Sequence, residues 1–175
     1  TQKALISNQP RYQKRQKIWD SIWNLDDFDT PQWLAITPPS LVPIASGQLP
    51  ITPYVKNKEM QLQGTLGALK WRDTLTFDDP FIPHLQPYAG VTVFASAFGC
   101  EIEFFDHTLP WAHPVIKAGD PPEKVYDLEK PSITNGQLGE MLEFTDYFVE
   151  KTGGQYPIAI TDLQGPMDTA YLVWD

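Results

Sequence analysis

The chain has 175 residues, 42% hydrophobic and 13% aromatic, with a net charge of −9 and one cysteine. That composition is globular, excludes a disulfide framework within the chain, and lacks any apolar run near the ~20 residues of a membrane span. The acidic excess lies in residues 81–175, with fourteen Asp and Glu against four Lys, while residues 1–80 are nearly balanced; such a surface repels phosphate backbones, so neither nucleic acid nor membrane is an expected partner.

The first expected element is a helix from about Pro10 to Trp23. Proline suits a first helical position, and Ile18, Trp19, Ile22 and Trp23 share one apolar face. The basic residues Arg11, Lys14, Arg15 and Lys17 on this helix read more readily as a solvated face than as a binding patch. Asp26–Thr30 reads as a turn. Gln32–Thr37 is a short apolar run before Pro38 and Pro39, expected as a first buried strand. Ser40–Thr52 has no period and reads as loop.

A second helix is expected from Thr52 and Pro53 to about Trp71, with Leu62, Leu66 and Leu69 as its buried stripe. Three prolines keep Asp78–Gly90 irregular. Val91–Ala95 (VTVFA) reads as a second strand, followed by a loop, and Glu101–Asp106 fits strand or turn equally. After a further proline-rich passage, Thr134 and Gln137 have capping-box spacing. Leu138, Met141, Leu142, Thr145, Phe148 and Val149 then carry a helical face to Gly153 and Gly154. Pro157–Ile160 reads as a third strand and Met167–Trp174 as the opening of a further helix.

Helix followed by βα units beginning near residues 32, 91 and 157 implies a parallel sheet covered on both faces. Three strands alone would leave long open edges. The expectation is therefore α/β: a single partial domain over residues 1–175, the N-terminal part of a (β/α)₈ barrel that continues beyond the chain.

Four segments together resemble the uroporphyrinogen decarboxylase superfamily, in its methyltransferase-like branch. They are Asp78–Gly90, the run ASAFGCE from Ala95 to Glu101, the passage Pro121–Gly139, and YPIAITDLQGPMD from Tyr156 to Asp168. The resemblance covers roughly the second half of the chain. It implies a barrel of about twice this length with a deep pocket, and either tetrapyrrole decarboxylation or zinc-assisted methyl transfer from a corrinoid carried on a partner protein. The decarboxylases' early M-R-Q-A-G-R-Y motif has no counterpart here, and no arginine follows Arg72, which disfavours a polycarboxylate substrate. Cys100 stands alone, and His84, His107 and His113 are not in ligand spacing with it, so no metal site is expected within these residues.

The expected function is accordingly corrinoid-linked methyl or one-carbon transfer on a small-molecule substrate. This chain would contribute pocket lining, and the isolated chain would be inactive. Zinc and the partner-bound corrinoid belong to the whole protein. The alternatives are a tetrapyrrole decarboxylase with altered carboxylate recognition and a non-catalytic half-barrel that pairs with itself or with its missing half. One cysteine and the absence of a signal-peptide pattern point to a reducing cytoplasm.

Pocket residues are expected on loops after strands, where barrel enzymes place their chemistry. Asp162 and Gln164 would orient substrate, with Gly165 beside them and Asp168 in the first helical turn. Phe98, Gly99 and Cys100 follow the second strand; Cys100 would need a cationic neighbour to serve as a nucleophile. Glu101 and Glu103 read as a solvated strand face. Trp111, with Trp33, would line an apolar mouth fit for a planar macrocycle. No catalytic residue is assigned.

Overall fold

The computed structural model describes residues 6, 9–26, 50–74 and 79–175. The expected strand at Gln32–Thr37, the tryptophan Trp33 and most of the turn and loop around them lie outside these residues.

Helix α1 spans Pro10–Trp23, with proline at its first position as the sequence suggests. Tyr12 is its buried anchor, Ile18, Trp19 and Ile22 are half-buried, and Trp23 is exposed, so the apolar face is narrower than its spacing implies. The Trp19 indole donates to the carbonyl of Pro80 at 2.8 Å, tying α1 to the proline-rich stretch that ends at Gly90.

The single helix expected over residues 52–71 is two helices, α2 (Ile51–Lys56) and α3 (Lys58–Arg72). Asn57 breaks them by adopting an extended backbone, and its side chain accepts the Met60 N–H at 3.0 Å. That is an N-cap, which satisfies a donor the helix itself leaves orphaned. Leu62 and Leu69 are buried on α3, as their spacing requires, together with Gln61 and Thr65.

Beyond the proline-rich stretch, Gly90–Thr92 forms one 3₁₀ turn and α4 spans Val93–Ala97. The short strands β1 (Glu101–Glu103) and β2 (Trp111–His113) form an antiparallel pair with Ile102 opposite Ala112. A 3₁₀ segment covers Pro122–Asp127. Helix α5 (Gly136–Thr152) is the longest described, and α6 (Pro166–Val173) follows after an extended passage.

This architecture overturns the parallel-barrel expectation. Among the described residues there are six α-helices and one two-stranded antiparallel sheet. VTVFA has strand-like composition, but Gly90 (φ 79°) turns the chain into a helical trajectory. Val93 and Ala97 then fall on one buried helical face, with α4 packed against α5. Pro157–Ile160 is extended, but its pairing is a single parallel bridge between Ile158 and Leu85, with no continuing ladder. Tertiary burial has outweighed β propensity, which is the weaker and more context-dependent signal. The argument for a half-barrel closing its sheet edges loses its sheet.

Helix α5 organises the core. Met141 and Phe144 join Val55, Tyr88, Ala89 and Val93 in one cluster; Phe148 joins Leu62, Leu69, Phe81 and Leu85 in a second. A third cluster, Ala95, Cys100, Ala112, Leu172 and Val173, brings α4, the β-pair and α6 together. Helix α5 ends where expected, with Gly153 in the left-handed conformation (φ 62°) that glycine adopts without steric cost.

Candidate functional site

Helix α6 builds the most apolar of the larger concavities among the described residues. Gly165 is its N-cap and Pro166 its first residue, so the helix starts where the backbone can enter without losing a needed N–H. Pro166, Thr169, Ala170 and Val173 recur at helical spacing along one face, and that face lines a cleft of about 580 Å³. Phe94 and Phe98, one turn apart on α4 and its C-cap, form the opposite wall. Ile116, Val125 and Leu128 close the third side, and Trp174 stands at the end of α6.

Backbone pairing holds these walls in place. The Val115 and Ile116 N–H groups both donate to the Val173 carbonyl at 3.1 Å, and the Asp175 N–H returns to the Ile116 carbonyl at 3.0 Å. The turn presenting Val125 is fixed by Asp120, which accepts the Lys117 N–H at 2.7 Å and the Lys124 ammonium at 2.9 Å. Those two bonds hold the Asp120 carboxyl below its usual range, the Lys117 N–H contributing most.

The cleft brings together two of the residues that the sequence singles out, Phe98 and Gln164. Gly165 borders it as the N-cap of α6 without being part of its wall. Asp162 is half-buried outside the lining and lies by Tyr88. Burial first, and the Asp162 charge second, push the Tyr88 hydroxyl up to about 12. Gly99 is exposed with φ 93°, a backbone requirement that explains the glycine without a ligand.

Cys100 lies behind the cleft. Its Sγ is 3.7 Å from the Leu172 carbonyl, and burial pushes its thiol up, more than the Val115 backbone and the Lys117 charge pull it down. A buried thiol of raised pKa is a packing residue, since nucleophilic cysteines need the opposite shift. Trp111 is half-exposed on β2 and does not line the cleft. Glu101 and Glu103 are exposed on β1, and the Glu103 carboxylate pairs with His113 Nε2 at 2.8 Å.

Sequence reasoning missed Phe94, Ile116, Val125, Leu128, Thr169, Ala170, Val173 and Trp174. Phe94 was concealed by assigning its segment to a strand; at helical spacing Phe94 and Phe98 face one way. Val125 and Leu128 lie three apart at the end of the proline-rich passage, a spacing that marks a common face on a helical turn.

Chemically, the lining is aliphatic and aromatic, with Gln164 and Thr169 as its polar side chains and no titratable group. It can hold and orient a ligand but supplies neither acid nor base. Among the described residues, no group of three or more His, Cys, Asp and Glu is placed to hold a metal ion, and no helix is long and apolar enough to cross a membrane. Comparison with models of known protein families, with curated proteins and with solved structures finds no significant match to the chain.

Proposed function

We propose that this chain binds an apolar, ring-bearing small molecule in the cleft between α4, α6 and the 116–128 segment. The supporting observation is a cleft of about 580 Å³ walled by Phe94, Phe98, Ile116, Val125, Leu128 and Trp174, with Gln164 and Thr169 available to orient one polar edge of the ligand. Small-molecule sites commonly have this size range, roughly 300–1,000 Å³, and this balance of apolar walls with few polar groups. Flat aromatic faces favour a ring over a flexible chain, because less conformational freedom is lost on binding.

The corrinoid-linked methyl or one-carbon transfer implied by the sequence resemblance is a second proposal, and it rests on the four resembling segments. The cleft supports its substrate-holding part, through Phe98 and Gln164. The reacting groups, zinc and the corrinoid partner belong to that proposal alone, as does the cytoplasmic location.

Filling the cleft tests the binding reading. Ala170 lies on α6, is exposed, and faces the cleft, so Ala170→Phe occupies ligand space without disturbing the core. The helix cost of that change is about 0.5 kcal/mol. N-phenyl-1-naphthylamine, a neutral two-ring dye, is expected to bind the parent chain saturably. Binding should be at least about ten-fold weaker in the variant, at unchanged circular dichroism. Equal binding by both proteins, or no saturable binding by the parent, would end the proposal.

A further inference from the structure

Gln164 carries the one amide side chain in the lining of the cleft between α4 and α6. Its backbone is held on both sides. Leu163 packs against the cluster of Val55, Tyr88 and Phe144, and Gly165 and Pro166 start α6 directly after it. The other described glutamines that are not exposed, Gln61, Gln86, Gln137 and Gln155, each bond to the protein through the side-chain amide. Gln164 is half-buried and differs from them. Among the described residues, neither its amide nor the hydroxyl of Thr169 has a hydrogen-bond partner. The fold therefore holds this amide in place at the cleft without using its bonding groups.

What the amide can recognise follows from its shape. A primary amide presents an N–H donor and a C=O acceptor side by side in one plane, and a partner that uses both shows the same pair reversed. Glutamine makes such a two-bond contact with the edge of adenine. The walls add a second constraint. They hold no titratable side chain, so an ion entering would exchange water for aliphatic and aromatic carbon. The chain's net charge of −9 disfavours an anion further. Phe94, Phe98 and Trp174 supply flat faces of the kind on which planar heterocycles stack.

Given the small-molecule reading of this cleft, on which the inference rests, we propose that its ligand is a neutral, planar cyclic lactam. The lactam's ring N–H donates to the Gln164 carbonyl oxygen, and its C=O accepts from the Gln164 NH₂. Thr169, on the cleft face of α6, adds a hydroxyl able to donate to or accept from a further substituent. Filling the cleft removes water from the Gln164 amide. A ligand of the same size without the lactam edge leaves that amide unpaired and binds more weakly for it.

Three two-ring probes test this: 2-quinolone, which has the lactam edge; N-methyl-2-quinolone, which lacks the donor; and 2-aminoquinoline, which when protonated offers two donors. Each is titrated into the protein and followed by amide chemical shifts, with circular dichroism as the folding control. The parent chain is expected to bind 2-quinolone at least about ten-fold more tightly than its N-methyl form. In Gln164→Leu the two should bind within about two-fold of each other, because the amide that tells them apart is gone. Gln164→Glu keeps the shape but replaces the NH₂ donor with an acceptor. It should bind 2-quinolone at least about ten-fold more weakly than the parent does, and protonated 2-aminoquinoline more tightly, through paired N–H donors to the carboxylate. A merely structural glutamine would not reverse the order of the two ligands. Saturable binding of N-phenyl-1-naphthylamine by the parent with no preference for 2-quinolone overturns the lactam and leaves the apolar cleft. A preference that survives in Gln164→Leu, or an unreversed order in Gln164→Glu, overturns the role of Gln164. A parent that does not bind the dye removes the small-molecule reading itself, and the lactam with it.

Discussion

Gln61 is the residue whose replacement tests the packing of this fold most sharply. It is fully buried on α3 and makes three hydrogen bonds with its side-chain amide. The nitrogen donates to the Val55 carbonyl at 3.1 Å and to the Tyr88 carbonyl at 2.6 Å; the oxygen accepts the Tyr88 N–H at 3.0 Å. One side chain therefore stitches the end of α2 to the extended stretch that leads into α4. Gln61→Met keeps the length and volume but removes all three bonds. At about 0.5–1.5 kcal/mol net per bond the direct loss is roughly 1.5–4.5 kcal/mol, and the Tyr88 N–H left buried without an acceptor moves the total toward the upper part of that range. A loss of about 3–5 kcal/mol is a large share of the ~5–15 kcal/mol typical of a domain. With a urea slope of about 2 kcal/mol per molar, the unfolding midpoint should fall by about 2 M with the slope unchanged. Urea unfolding followed by far-ultraviolet circular dichroism reads this directly. A loss under about 1 kcal/mol would show that the Tyr88 backbone finds other partners, and the stitching argument would fail.

Two other perturbations bear on the frame around the clefts. Gly139→Ala should lower the melting temperature by roughly 4–8 °C. Helix propensity alone favours alanine by about 1 kcal/mol, but its Cβ would sit 2.5 Å from the Thr134 carbonyl oxygen and 2.9 Å from the carbonyl carbon, backbone atoms that cannot swing aside; a raised melting temperature would refute the contact argument. The hydroxyls of Tyr54 and Tyr88 are both pushed up to about 12, chiefly by burial. The folded protein thus keeps protons that the unfolded chain releases above about pH 10, so this contribution to stability is full below pH ~10 and is lost as pH rises through about 12. Loss of helix signal should coincide with the last, highest-pH part of the rise in tyrosinate absorbance, and Tyr88→Phe should move the alkaline midpoint upward; an unmoved midpoint would contradict the assignment.

What could be read from the sequence was local. Helix α1 begins and ends at the expected residues because Pro10 and the apolar spacing act within one helix. Gly153 stops α5 for the same reason. The start of α5 shows the limit. The Thr134–Gln137 capping box does not form: Asn135 is the N-cap and makes no side-chain bond. Gln137 is drawn instead into the core, where its side-chain oxygen accepts the Thr92 hydroxyl at 2.7 Å and its backbone N–H donates to the Ser96 hydroxyl at 2.9 Å. Those partners lie about forty residues upstream, and no pattern near residue 134 announces them. The same applies to Val91–Ala95, whose helical form depends on the face that α5 offers.

The candidate site was legible to a similar depth. Phe98 and Gln164 stand out as residues of loops after expected strands, and the cleft uses both, although the segment before Phe98 is helix α4 and not a strand. Cys100 and Asp162 stand out by residue type, but burial assigns the first to packing and position puts the second beside Tyr88. The cleft that Arg11, Arg15 and Arg72 line together is hidden in the sequence, because Arg11 and Arg15, read on α1 alone, belong to a solvated basic face. Arg72 becomes their neighbour only through the fold.

The ties that hold α6 in place have a consequence for how the chain is assembled. Cys100 meets Leu172 across 72 residues, and Gln86 meets Ile160 across 74. Closing loops of that length costs about 4 kcal/mol of chain entropy before any contact compensates. Contacts of such range form late, after local helices and hairpins are in place. During synthesis the walls from Phe94 to Leu128 therefore emerge well before the face that completes them. Until Val173 and Trp174 have docked, Phe94, Phe98 and Ile116 lack the helix face that stands opposite them, so the docking of α6 is the step that turns an open apolar strip into a cleft.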